Sequence, residues 1–242
     1  MSQRLTKTDI LERLHSQTLE SYALIANVAK GIALGAASIA LLEIVAAGGY
    51  EWLRLLPWIA SLELLVLTYM KWVYGILLSS SRSNIGDIIY PFVMAVTEFI
   101  LFGILFVEDD KGGYRWLGWL VVYITHGVVS FLIVSNRRRL LMDCDFENDM
   151  KELCAEARSW MTADRVAIGV SVSVATITWI VGHVLVLPCS GPRVWSYVVA
   201  GFALFASALL WKPIRDTSAQ RARIDRFVSL LDAEATQEDT PP

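Results

Sequence analysis

Hydrophobic residues dominate six stretches of this chain, and each stretch is long enough to cross a lipid bilayer as an α-helix. The stretches are residues 22–47, 52–78, 87–107, 114–134, 165–187 and 193–211. A transmembrane helix needs about 20 mainly apolar residues to span a hydrocarbon core of about 30 Å. We therefore predict an all-α, polytopic membrane protein with four transmembrane helices in residues 22–134 and two in residues 165–211.

Polar and amphipathic stretches separate or flank the apolar ones. Residues 1–21 and 135–164 place apolar side chains at helical spacing, and residues 212–242 continue as a helix with a disordered acidic end. The polar residues 162–164 are turn-prone, so we expect the amphipathic helix of 135–164 to end before the fifth span begins.

Lysine and arginine residues lie mostly on one side of the predicted spans. Of the 21, 15 lie in the N-terminal segment, the turn between the second and third spans, the 135–164 segment together with the adjoining Arg165, and the C-terminal segment, and 4 lie on the other side. Cytoplasmic segments are the ones enriched in Lys and Arg, so both termini are predicted to be cytoplasmic. Lys30 and Lys71 lie inside spans, where long stems can carry the ammonium groups toward the same side.

The composition is typical of a membrane protein and disfavours several other classes. Hydrophobic residues make up 55% of the chain, charged residues 19%, and the mean hydropathy is +0.49. A formal net charge of -3 gives no basic surface for a nucleic acid. Three scattered cysteines form neither a disulfide framework nor a metal motif. Because no phosphate-binding loop, hydrolase motif or intramembrane nucleophile with a base stands out, we expect no enzyme activity, metal or cofactor.

Three ionisable side chains interrupt the apolar stretches. Glu63, Glu98 and His126 each lie about eleven residues into the second, third and fourth stretch. An ionisable residue at the bilayer centre costs about 2.5–3.5 kcal/mol on insertion scales. Because spans joined by short turns are antiparallel neighbours, we expect the three side chains to meet near the midplane. Two adjacent carboxylates would share a proton or bind a cation, and the imidazole would accept a proton.

Other polar residues of the spans extend this predicted site into a path across the membrane. The path-lining residues are Glu43, Lys71, Thr97, Thr125 and His183. Glu43 and His183 lie in the outer third of their spans, whereas Thr97 and Thr125 directly precede Glu98 and His126. Hydroxyl groups inside a span also bond to carbonyls of their own helix, so the threonines alone do not define a path.

Two features predict contacts outside the polar site. Gly31, Gly35 and Ser38 lie on one side of the first span at a spacing that permits close helix packing. We expect this face to pack against another span of the same chain in preference to a second copy, although six short-looped spans also favour a homo-oligomer. The run 137–139, which is Arg137, Arg138 and Arg139, can contact anionic lipid headgroups or serve only as a topology signal.

Two functions are compatible with these features. The first is a channel or transporter for protons or a small cation, located in a plasma membrane, with short loops that favour a bacterial inner membrane. The second is a non-transporting sensor, scaffold or effector that binds a cytoplasmic partner protein through its amphipathic helix and tail. Polar side chains in spans can also simply hold helices together by hydrogen bonds, so the sequence leaves a structural role open as well.

Overall fold

All regular secondary structure in the described part of the chain is helical. The computed structural model describes residues 17–48, 53–77, 85–106, 114–142, 148–186 and 194–211. The helices are α1 (Gln17–Ala47), α2 (Leu55–Leu77), α3 (Ile85–Phe106), α4 (Tyr114–Met142), α5 (Asn148–Val181) and α6 (Val194–Trp211). No strand occurs in these ranges, which confirms the all-α class for them. The predicted C-terminal segment 212–242 and most of the N-terminal segment 1–21 lie outside the described residues.

Four helical stretches in the described ranges are long and apolar enough to cross a membrane. They are Asn27–Ala47, Arg115–Asn136, Arg158–Val184 and Val194–Trp211. The apolar stretches of α2 and α3, Leu55–Met70 and Phe92–Leu105, are shorter. In the described ranges the regular structure is therefore all-helical, and its apolar helices indicate membrane association. The spanning of the membrane by α2 and α3 stays a prediction.

The segment that precedes the fifth predicted span differs from the expectation. α5 runs without interruption through residues 162–164, and a π-helical turn follows it at Gly182–Val186. The helix tolerates Thr162 because the hydroxyl donates a hydrogen bond to the carbonyl of Arg158 at 2.8 Å. The predicted turn at 162–164 is therefore wrong. Residues 148–164 of the amphipathic segment and the beginning of the fifth span form one 34-residue helix, whereas residues 135–142 are the end of α4.

Helix α1 packs against α3 as well as against its sequence neighbour α2. Among α1 to α5, the most extensive contacts join α4 with α5 and α1 with α3. The contact face of α1 consists of buried alanines, namely Ala29, Ala33, Ala36, Ala37 and Ala40. Side chains three and four residues apart share one face of a helix, and small side chains allow two helices to approach closely. The alanine face therefore brings a helix that is distant in sequence against α3.

The predicted small-residue face of α1, formed by Gly31, Gly35 and Ser38, is not the buried alanine face. All three residues are exposed. A Cβ atom added at either glycine would meet nothing within 4 Å, and the Ser38 hydroxyl donates to the Leu34 carbonyl of its own helix at 3.0 Å. No described residue covers this face, so the expectation that it packs inside the chain is not met.

An aromatic cluster joins α4 to α6. The ring centroids of Trp119 and Tyr123 lie 5.2 Å apart, and those of Tyr123 and Phe202 lie 5.3 Å apart with an edge-to-face geometry. The Tyr123 hydroxyl lies 2.8 Å from the Ser171 hydroxyl of α5. On the same helix, Gly127 allows α5 to come close, because a Cβ atom there would overlap Val172. These contacts fix α4, and with it the adjacent His126.

Candidate functional site

Glu98 on α3 is the centre of a polar cluster inside the helix bundle. Its side chain is fully buried, with 0% exposure. Its Oε1 atom forms an ion pair with Nζ of Lys30 on α1 and accepts a hydrogen bond from Oγ1 of Thr68 on α2 at 2.9 Å. Lys30 Nζ also lies 3.4 Å from Thr68 Oγ1. One carboxylate oxygen thus connects α3 to two other helices.

His126 brings α4 into the same cluster. The imidazole is also 0% exposed, and its Nε2 atom lies 3.9 Å from Glu98 Oε1. Its other ring nitrogen, Nδ1, lies 2.8 Å from Oγ1 of Thr97. A separation of 3.9 Å exceeds that of a direct hydrogen bond, but one bridging water can connect polar atoms at such a distance. The site therefore combines a carboxylate, an ammonium group and an imidazole.

The hydrogen bonds of Thr97 define the tautomer of the imidazole. Thr97 Oγ1 lies 2.8 Å from the Met94 carbonyl oxygen as well as 2.8 Å from His126 Nδ1. A hydroxyl has one hydrogen and a carbonyl oxygen can only accept. We therefore assign the hydroxyl hydrogen to Met94 and an Nδ1–H to His126, which donates to Thr97. The Nε2 atom of the neutral imidazole then carries a lone pair and is a proton acceptor.

The Thr68 hydroxyl can serve Glu98 in two protonation states. Thr68 Oγ1 lies 2.9 Å from Glu98 Oε1 and 2.8 Å from the Leu64 carbonyl oxygen. When the carboxylate is ionised, the hydroxyl donates to it. When the carboxyl group is protonated, it donates to Oγ1, and the hydroxyl hydrogen turns to Leu64. Glu98 and Thr68 therefore keep a hydrogen bond to each other whether the carboxyl group is ionised or protonated.

Two buried atoms of the cluster retain unused hydrogen-bonding capacity. Glu98 Oε2 and His126 Nε2 have no hydrogen-bond partner among the described residues. A buried polar atom without a partner costs about 1–3 kcal/mol, and such atoms in a folded protein require an explanation. Both groups can carry a proton, and both can bind a water molecule or a cation.

Glu63 on α2 lies apart from this cluster. Its side chain is half-buried and hydrogen-bonds to the side chain of Ser207 on α6. Thr68, the residue of α2 that faces Glu98, lies five positions further along, which corresponds to about 140° around the helix axis and about 7.5 Å along it. The structure thus brings Glu98 and His126 together, but it does not bring Glu63 to them.

The predicted path-lining residues are divided in the same way. Thr97 belongs to the cluster through His126. Thr125 is exposed and donates to the Val121 carbonyl of its own helix at 2.9 Å. Glu43 is exposed. His183 is exposed and stacks on Trp179, with the ring centroids 5.4 Å apart. The described contacts connect none of Thr125, Glu43 and His183 to Glu98.

The side chain of Lys71 and those of the arginine run 137–139 lie outside the described residues. The backbone places Lys71 in the last turns of α2 and the arginine run in the last turns of α4. Their predicted roles stay predictions.

Lys30 and Thr68 were not among the predicted site residues. Lys30 was expected to extend toward the cytoplasmic interface, but it is buried. The missed signal is its position three residues before Ala33 and seven before Ala37, which places it on the alanine face of α1. A lysine on a face that packs against another helix needs a partner on that helix, and Glu98 is that partner.

The described residues contain no group of three or more His, Cys, Asp or Glu side chains arranged to hold a metal ion. No protein-family model matches the chain, and no curated protein and no solved structure matches it.

Proposed function

We propose that this chain is an integral membrane protein that moves protons or a small cation across the membrane through the cluster of Lys30, Thr68, Thr97, Glu98 and His126. The observation that supports this function is the pair of fully buried groups Glu98 and His126, 3.9 Å apart, each with an atom that no described residue engages. Ionisable groups inside a membrane bundle are costly, and they are typical of proton and ion pathways.

Protons fit the cluster better than metal cations do. The ammonium group of Lys30 already occupies the Glu98 oxygen that a free cation would use. The hydroxyls of Thr68 and Thr97 also contact carbonyls of their own helices. Hard divalent cations take six or more oxygen ligands, whereas a proton needs only the acceptor pair that Glu98 and His126 provide.

The proposed transfer begins at His126. A proton binds to Nε2, and the nearby Glu98 carboxylate stabilises the imidazolium. The proton then passes to Glu98, directly after a small approach of the two groups or through one water molecule, and Thr68 accepts the hydrogen bond of the neutral carboxyl. The ammonium of Lys30 is then uncompensated, which is unfavourable in a buried site. Re-formation of the ion pair therefore favours transfer of the proton from Glu98 to a water molecule that enters the site.

The same proposal includes the arrangement around the site. We propose six spans, cytoplasmic termini and a plasma-membrane location, with a bacterial inner membrane favoured by the short loops. The uncovered face of Gly31, Gly35 and Ser38 supports a homo-oligomer, because small residues permit close contact between helices of two copies.

Proton flux into liposomes tests the function directly. Purified wild-type protein and the Glu98→Gln variant are reconstituted and compared under a pH gradient with a pH-sensitive dye. The matched control is Glu63→Gln, the same substitution in a neighbouring helix outside the cluster. We expect flux in the wild type and in Glu63→Gln, and loss of flux in Glu98→Gln.

Two results contradict the proposal. Equal flux in the wild type and in Glu98→Gln would mean that the ion pair only holds helices together. Absence of flux from the wild type under proton and potassium gradients would favour the sensor or effector alternative. That alternative is supported by the continuity of α5, in which residues 148–157 and the apolar stretch that begins at Arg158 belong to one helix.

A further inference from the structure

A groove opens on the outside of the bundle between α4 and α5. Its volume is about 570 Å³, and it is lined by Phe131 of α4 and by a strip of α5 from Thr162 to Val174. Ligand pockets typically enclose about 300–1,000 Å³. None of its lining residues belongs to the Glu98 cluster.

The long wall of the groove is apolar and faces away from the bundle. Val166 is 61% exposed and Val170 is 42% exposed. Gly169 leaves the floor open, since a Cβ atom there would meet only Phe131, at 3.7 Å. In a membrane this surface meets lipid acyl chains, because the stretch Arg158–Val184 is long and apolar enough to span the bilayer.

One end of the groove carries a positive charge. The Arg165 guanidinium lies over the Phe131 ring, 5.2 Å from its centroid, and the buried Nε atom has no hydrogen-bond partner among the described residues. Arg158 lies seven positions earlier, on the same face of α5, and its buried Nε is likewise without a described partner. Guanidinium groups bind phosphate oxygens in a bidentate geometry. This end is the one that the Lys and Arg distribution predicts to be cytoplasmic.

We propose that this groove binds one anionic phospholipid of the cytoplasmic leaflet. The headgroup phosphate contacts Arg165, and an acyl chain lies along Gly169 and Val170. The positive charge of Arg165 lies at the predicted cytoplasmic end of the groove, and the apolar wall extends from it toward the membrane interior. A phospholipid of the cytoplasmic leaflet has its headgroup and acyl chains in the same order. Basic groups at this depth attract anionic lipid. The proposal is independent of the transport function, since it involves a different surface.

Native mass spectrometry of the intact chain tests the site. Wild-type protein is released from nanodiscs that contain equal amounts of phosphatidylglycerol and phosphatidylcholine. We expect one phosphatidylglycerol retained per chain, and retention reduced about fivefold in Arg165→Gln. The matched control is Arg115→Gln, which changes the arginine that lies over Trp116, 5.4 Å from the ring centroid, near the start of α4. This control should retain lipid as the wild type does.

A second variant tests the acyl-chain part of the groove. Ser173→Leu fills the groove and leaves both arginines in place. Within the described ranges the exposed Ser173 hydroxyl bonds to the Gly169 carbonyl of its own helix, at 2.8 Å. We expect Ser173→Leu to lose the bound lipid while keeping the wild-type helical content. Equal retention of the two lipids by the wild type, or full retention of phosphatidylglycerol by Arg165→Gln, would overturn the proposal. Loss in Arg165→Gln with full retention in Ser173→Leu would also contradict it, because the lipid would then bind only through its headgroup.

Discussion

Glu63 and Glu98 lie at similar depths in consecutive apolar stretches of the sequence, yet their surroundings differ. Glu98 has 0% exposure and contacts Lys30 and Thr68. Glu63 is half-buried and contacts a serine hydroxyl on α6. A carboxylate in a low-dielectric interior requires an opposite charge or a proton, and Lys30 satisfies this requirement only for Glu98. Depth along a helix therefore does not determine the environment of an ionisable side chain, whereas rotation about the helix axis does.

The largest effect on stability is expected when one partner of the Lys30–Glu98 ion pair is removed. Lys30→Met should lower the free energy of unfolding by about 3–5 kcal/mol, because it leaves the Glu98 carboxylate buried without its counter-charge. Unfolding in detergent micelles, followed by circular dichroism, measures this change. The double variant Lys30→Met/Glu98→Gln should recover most of the loss. Equal stability of the single and double variants would mean that the two charges do not interact.

Exchanging the two charges separates a structural role from a transport role. The variant Lys30→Glu/Glu98→Lys preserves an ion pair between α1 and α3, so we expect it to recover at least half of the stability lost in Lys30→Met. Proton flux should stay as low as in Glu98→Gln, because the carboxylate has moved from α3, where it faces His126. Recovery of both stability and flux would indicate that the exact position of the carboxylate is unimportant.

Removing the hydroxyl that donates to Glu98 should have a smaller effect. Thr68→Val is expected to lower the free energy of unfolding by about 1 kcal/mol, between the average for hydrogen bonds in membrane proteins and that for bonds to charged groups. Thr125→Val is the matched control, since the Thr125 hydroxyl is exposed and bonds to its own helix. The same unfolding assay should detect no change in Thr125→Val, and equal losses in the two variants would argue against a specific bond to Glu98.

The smallest effect is expected at the second carboxylate. Glu63→Gln should change the free energy of unfolding by less than about 0.5 kcal/mol, because an amide can also hydrogen-bond to Ser207 and no described counter-charge loses its partner. Thermal unfolding of Glu63→Gln and Glu98→Gln, measured in the same experiment, compares the loss of stability at the two carboxylates. A loss at Glu63 as large as that at Glu98 would show that the two sites are energetically equivalent.

Much of the secondary structure was predictable because apolar stretches of membrane length form helices in any tertiary context. The predicted stretch 52–78 became α2 (Leu55–Leu77), and 87–107 became α3 (Ile85–Phe106). The failure at residues 162–164 has a local reason, since a helix can satisfy polar residues such as Thr162 by bonding to its own carbonyls. The polar residues 162–164 therefore do not indicate a turn.

The sequence by itself determined that this chain is helical and rich in apolar residues, and that Glu98 and His126 interrupt its apolar stretches. Only the tertiary structure decided which of these groups meet. The physical reason is that the pairing of α1 with α3 depends on close contact between the alanine face of α1 and a helix distant in sequence. That pairing selected Lys30 as the partner of Glu98, and the rotation of α2 presented Thr68 to the site and directed Glu63 toward Ser207.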